Sequence, residues 1–168
     1  LTSATLTSAN LTNAILTNAI TGGGIIGLVG ATAATLPAGY VARTVSTDTN
    51  GFIIGPRVSL QNAVLTTGGG IDLSGVALTS ANFTGANLTN AILTNADISG
   101  AIFTNTTLTG VRSGGLTGAA TATLKTGYIV RYTGGGGVGT GSGFLIGAGV
   151  SLSGAGLSDR KSTRLNSS

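Results

Sequence analysis

Residues 73–110 read LSGVA-LTSAN-FTGAN-LTNAI-LTNAD-ISGAI-FTNTT-LTG, and every group opens on a large apolar side chain. Leu73, Leu78, Phe83, Leu88, Leu93, Ile98, Phe103 and Leu108 keep that step without a slip. Ala81, Ala86, Ala91, Ala96 and Ala101 each stand two positions ahead of one of them. The same beat opens the chain at Leu1, Leu6, Leu11 and Leu16. A period of five fits neither common element: it drifts around an α-helix and switches face on a flat strand. It fits a chain that turns one corner per repeat. Each repeat is then a short extended leg with its large residue inward, and its alanine occupies the corner, where only a small side chain is expected.

Four repeats carry a further likeness: Ala9-Asn10-Leu11-Thr12-Asn13, Ala81-Asn82-Phe83-Thr84-Gly85, Ala86-Asn87-Leu88-Thr89-Asn90 and Ala96-Asp97-Ile98-Ser99-Gly100. They resemble the pentapeptide-repeat family, whose unit runs Ala-(Asp/Asn)-Leu-X-X. The resemblance implies an all-β fold, a right-handed quadrilateral parallel β-helix with about twenty residues per coil and coils about 4.8 Å apart. On that reading residues 1–157 form a single solenoid of at most about seven or eight coils. Its regular coils are 1–21 and 60–110, its Gly-rich irregular interludes are 22–59 and 111–151, and the beat restarts at 152. The inward set is Leu6, Leu11, Leu16 and the eight residues from Leu73 to Leu108. Each contributes about 1.5–3 kcal/mol of burial.

The interludes are copies of one another. Leu36, Gly39, Tyr40 and Arg43 recur 88 residues later as Leu124, Gly127, Tyr128 and Arg131. Gly51-Phe52-Ile53-Ile54-Gly55 recurs 92 residues later as Gly143-Phe144-Leu145-Ile146-Gly147. The extra length sits in the Gly-rich run 134–143, a loop by composition. Gly68-Gly69-Gly70 is a smaller interruption: deleting it restores the five-step from Leu65 to Leu73, as for a bulge at one corner. Ile71 then takes an alanine position and is expected to distort that corner.

Composition removes most chemistry. The 168 residues contain no His, Cys or Glu, and charged residues are 7%, against about one quarter in ordinary globular domains. Triads, thiol nucleophiles, zinc sites and glutamate acid–base pairs are therefore unavailable, and no catalytic, cofactor or metal residue is assigned. Asp72 and Asp97 precede inward residues and read as solvated positions with local backbone bonds. Gly22 to Gly27 satisfies G-x-G-x-x-G, but no helical periodicity follows it, and Gly134 to Gly139 satisfies the same pattern by low complexity. The Asn-x-Thr sequons at Asn10, Asn82, Asn87 and Asn105 follow from the repeat itself. The uncharged stretch 22–42 does not read as a membrane span, since it is rich in Gly and Thr and contains Pro37.

The last ten residues, Asp159 to Ser168, read as the translation of a common sequencing adapter, so 158–168 is expected to be a non-native tail. Without it, five basic and three acidic residues remain, scattered along the chain. No basic stripe exists for nucleic acid. The resemblance also raises DNA mimicry protecting a topoisomerase, but that demands a column of carboxylates, which three acids cannot form. An ice- or glycan-binding face is a further option, with threonines flanking Leu6 and Leu108, though Asn, Ile or Asp interrupts the array. Tyr40, Arg43, Tyr128 and Arg131 are the recurring aromatic–cation pairs and the candidate ligand patch, set against the commoner reading of a packed tyrosine with a bonded hydroxyl.

The expected function is a non-enzymatic structural or interaction solenoid, with no cofactor and with a protein or surface glycan as partner. Leu1 falls inside a repeat, so the sequence is expected to be a metagenomic piece of a longer secreted, cell-surface or virion-associated protein. Coils with open edges present unpaired backbone groups. The chain is accordingly expected to self-associate through its solenoid ends, and a clean monomer by light scattering contradicts this.

Overall fold

The computed structural model describes residues 15, 28–29, 35–44, 50–66, 69–133 and 142–152. Leu6, Leu11, Leu16, the glycine runs at 22–24 and 134–139 and the tail 158–168 lie outside the described residues. Every regular element described is extended. They are β1 (Leu28–Val29), β2 (Val41–Thr44), β3 (Asn50–Ile54), β4 (Ile129–Thr133) and β5 (Ser142–Ile146), together with a ladder of single-residue parallel pairings.

That ladder is the body of the fold, a β-helix. Asp72, Ala77, Asn82 and Asn87 pair in parallel with Ile92, Asp97, Ile102 and Thr107, each partner 20 residues on. Ile92 and Asp97 pair onward with Arg112 and Thr117, again 20 residues on. Backbone bonds follow in both directions: the Leu73 N–H donates to the Ile92 carbonyl at 2.8 Å, and the Ile92 N–H to the Ile71 carbonyl at 2.9 Å. Four columns of pairings thus serve each twenty-residue coil. The residue after each paired position points inward. Leu73, Leu78, Phe83, Leu88, Leu93, Ile98, Phe103 and Leu108 are all buried in one core cluster. Phe83 and Phe103 stack with centroids 5.1 Å apart and planes at 4°.

The corners are β-turns. The Ala81 N–H donates to the Leu78 carbonyl and Ala86 to Phe83, both at 2.9 Å, and the third turn residue has positive φ (Ser80 57°, Gly85 70°). That conformation favours Gly and Asn, which explains their alternation at the fifth position of the repeat. The second residue of the repeat, Asn or Asp, holds the leg that follows it. Asn82 Oδ1 accepts the Thr84 N–H at 3.0 Å, Asn87 Oδ1 accepts Thr89 N–H at 3.1 Å and Asp97 Oδ1 accepts Ser99 N–H at 3.0 Å.

Two expectations about the corners need revision. The alanine slot is not limited to small side chains: Ile71, Val76, Thr106 and Val111 occupy it and are buried. The slot opens onto the core, so apolar branches fit, and Thr106 satisfies its hydroxyl by donating to the Phe83 carbonyl at 2.7 Å. Ile71 therefore leaves the ladder unbroken. The surplus beside it is visible as register: Ser59 and Val64 pair with Asn82 and Asn87, 23 residues on rather than 20. The three extra residues fall between Val64 and Asp72, where Gly68 to Gly70 stand.

Beyond residue 111 the columns continue. Thr117 and Thr123 pair with Asp97 and Ile102, and Ser151 pairs with Arg112 after a 39-residue detour. That detour contains the antiparallel pair β4–β5, in register Ile129↔Ile146 to Thr133↔Ser142. The earlier interlude holds β2–β3 in the same register, Val41↔Ile54 to Thr44↔Gly51. A third contact repeats as well, since Leu28 pairs with Gly51 and Leu116 with Gly143, both antiparallel. The copies seen in sequence are therefore copies in structure.

Corner side chains lie against the next coil. A Cβ added to Gly110 would meet Asn90 Oδ1, and one added to Gly115 would meet Asn95 Oδ1, so each asparagine corner packs where the next coil carries a glycine. Gly110→Ala adds both this clash and positive-φ strain, and is expected to cost about 1–3 kcal/mol. The exchange Asn90→Gly with Gly110→Asn is expected to recover most of that loss. Urea unfolding followed by circular dichroism reads both. A double variant no more stable than Gly110→Ala argues against corner stacking.

Candidate functional site

The recurring tyrosines close the bases of the two hairpins. The Tyr40 hydroxyl donates to the Pro56 carbonyl at 2.9 Å, and the Tyr128 hydroxyl to the Ala148 carbonyl at 2.5 Å, the equivalent partner 92 residues on. The ring of Tyr40 covers Gly55, where an added Cβ would stand 2.5 Å from Cδ1; Tyr128 covers Gly147 in the same way. This explains the glycine after each Phe-x-Ile stretch. Lys125 Nζ lies 5.7 Å from the Tyr128 ring centroid.

The arginines part company. Arg43 donates through Nε to the Asp72 carbonyl at 2.8 Å and through Nη1 to the Ala42 carbonyl at 3.1 Å, tying β2 to the neighbouring coil. Arg131 is exposed on β4, and its side chain forms no hydrogen bond or ion pair among the described residues. The four patch residues thus sit as two pairs in two hairpins, and each tyrosine hydroxyl is already bonded to backbone.

The two described carboxylates are held by local bonds. Asp72 accepts the Ser74 N–H at 2.9 Å; hydrogen bonds from Ser74, aided by Arg43 and Arg112, hold its carboxyl below the usual carboxylate range. For Asp97, partial burial pushes upward, but bonds from Ser99, Thr79 and Thr117 outweigh it and leave it lowered. Both are ionised acceptors at neutral pH, poorly suited to donating a proton. Among the described residues no cluster of His, Cys, Asp or Glu could hold a metal. No described helix is long and apolar enough to cross a membrane.

One concavity stands out, and sequence reasoning did not find it. A cleft of 410 Å³ is lined by Ile92, Thr94, Arg112, Ser113, Gly114, Gly115 and Phe144. It arises because the five-step fails after Leu108, leaving Ser113 in the next inward slot. Ser113 is buried, and its hydroxyl accepts the Leu145 N–H at 2.9 Å. Leu145, from β5, supplies the missing apolar bulk beside Leu93, Ile98 and Phe103. Its neighbour Phe144 falls on the other face of the strand and packs against Gly114. The polar residue in an inward slot was the available signal.

The tyrosine locks are testable. Tyr40→Phe removes one hydrogen bond and strands the Pro56 carbonyl, so stability is expected to drop by about 0.5–1.5 kcal/mol, with far-UV circular dichroism unchanged. Unaltered stability in thermal unfolding would mean that the hydroxyl is free for another partner.

The family model for pentapeptide repeats matches residues 71–110 in eight copies. No curated protein matches the sequence. The matched stretch is the one whose residues pair in columns twenty apart, with an inward side chain and a turn in every five. Sequence pattern and backbone pairing agree on it: residues 71–110 are pentapeptide repeats.

Proposed function

We propose that the chain is a non-enzymatic interaction module: a right-handed quadrilateral β-solenoid, continuous over 1–157, that presents flat faces of short polar side chains to a protein or surface glycan. The observation carrying this reading is the columnar order of the outward residues. Thr84 and Thr104 occupy successive coils of one column, and Thr89 and Thr109 those of the next. Backbone pairing fixes such side chains at a constant rise, which suits recognition of a repeating or extended surface. The pairing of Ser151 with Arg112 across the hairpin supports a single continuous body rather than separate domains. The scarcity of titratable groups supports binding over turnover.

DNA mimicry finds no support in the described charges. Asp72 and Asp97 stand in adjacent columns, and Arg112 shares the column of Asp72, so no carboxylate row follows the phosphate spacing. Secretion or cell-surface display belongs to the same reading and rests on the uncharged faces alone.

Face-directed substitution separates display from mere stability. Thr84→Lys with Thr104→Lys, and separately Thr89→Lys with Thr109→Lys, are expected to preserve the β signal and thermal midpoint, because these side chains leave the core. One pair is expected to weaken capture of immobilised glycan or protein ligands by at least about tenfold, through charge and bulk on a flat contact. Ligands captured equally by wild type and both variants would remove the faces from the function, and turnover of a captured ligand would make the module an enzyme.

A further inference from the structure

We propose that the cleft between the β4–β5 hairpin and the coil at 112–117 binds the carboxylated sugar unit of an acidic polysaccharide, with Arg112 receiving the carboxylate. The proposal rests on the interaction-module reading above and names a ligand class for it.

Arg112 is exposed at the cleft, and its side chain forms no hydrogen bond or ion pair among the described residues. Its attraction to Asp72 acts across the intervening position of Ile92 in the same column. A second cation stands nearby by register. Arg131 is directly opposite Phe144 in the β4–β5 pair, and directly opposed residues of an antiparallel pair project from the same face. Phe144 lines the cleft, and Arg131 shares its strand face without itself being among the lining residues. Arg112, with no ion pair among the described residues, thus lines the concavity, and Arg131 lies on the same strand face as its Phe144 wall.

The rest of the lining selects among anions. Ile92 and Phe144 give an apolar wall, Thr94 a hydroxyl, and Gly114 and Gly115 a wall without side chains. A uronate ring matches this set: its C–H face lies on Ile92 and the Phe144 edge, its hydroxyls reach Thr94 and backbone groups, and its carboxylate takes the planar fork of Arg112. At 410 Å³ the cleft lies within the span of about 300–1,000 Å³ usual for small-ligand sites. A polyphosphate such as nucleic acid needs a row of cations along its backbone, and among the described residues Arg112 is the one cation that lines the cleft.

The first hairpin provides an internal contrast. Arg43 is opposite Phe52 just as Arg131 is opposite Phe144, but its Nε is already bonded to the Asp72 carbonyl. The position matching Arg112, 88 residues earlier, is Gly24 and carries no charge. The first copy therefore has neither free cation, and the binding function is confined to the second.

Isothermal titration of the whole chain with a galacturonate tetrasaccharide tests the proposal, beside a neutral cellulose tetrasaccharide, oligo-aspartate and inorganic phosphate. The uronate is expected to bind, the neutral glycan and oligo-aspartate not to, and added salt to weaken the complex. Arg112→Gln is expected to weaken it by at least about tenfold, Arg131→Gln by less, and Arg43→Gln to leave it unchanged. Absence of uronate binding, or full affinity in a folded Arg112→Gln protein, overturns the proposal. Equal affinity for oligo-aspartate or phosphate overturns the sugar assignment. Such failures leave the lysine variants of the flat faces to decide the broader reading, because those substitutions lie in other columns.

Discussion

Each leg between Asp72 and Thr117 pairs with the one twenty residues away, directly above or below, and that constraint governs the rest of the molecule. The parallel bond from the Phe83 N–H to the Ile102 carbonyl, at 2.8 Å, does more than join two legs. It places Phe103 on Phe83, face to face, and in the same way sets inward Leu73 and Leu78 against Leu93 and Ile98 of the next coil. A helix bundle mixes residues from distant heptads; here the core is built of vertical stacks. The same verticality makes the corners interdependent, so that Asn90 is compatible with Gly110 and Asn95 with Gly115 because neither glycine has a Cβ to obstruct the amide.

The departure at residue 113 shows how such a structure admits an excursion without a hole. The inward slot shrinks to Ser113, the alanine slot grows to Leu116, and Leu145 enters from the hairpin to replace the lost bulk. One hydroxyl that would be costly among leucines is satisfied by the backbone of the strand that displaced them. The external face of the same strand then forms the wall of the cleft. Core repair and cleft formation are two sides of one β-strand.

Much of this was legible because the repeat advertises itself. The five-residue spacing of Leu73 to Leu108, the duplicated Tyr-x-x-Arg and Gly-Phe-x-Ile-Gly segments and the three-glycine interruption all have direct counterparts in backbone register. What sequence did not convey was depth at single positions. An alanine in most repeats suggested that its slot was narrow, yet Ile71 and Val111 fill it, because tolerance depends on what the adjacent coil leaves open. Tyr40 and Arg43 were readable as a pair, but their partners, the Pro56 and Asp72 carbonyls, are backbone atoms brought close by folding. Arg112 and Phe144 are separated by a hairpin, and no local pattern joins them.

The columns also fix how the two interludes are disposed about the axis. Ser59 belongs to the column of Asn82, Ile102 and Thr123, whereas its duplicate Ser151 belongs to that of Asp72, Ile92 and Arg112. These columns are two apart among the four that make up a circuit, so one duplication unit advances the chain by a whole number of turns plus a half. Equivalent hairpins consequently alternate between opposite flanks. An array extended by the same unit would carry its hairpins like leaves set in two ranks along a stem, with like flanks recurring only at every second unit.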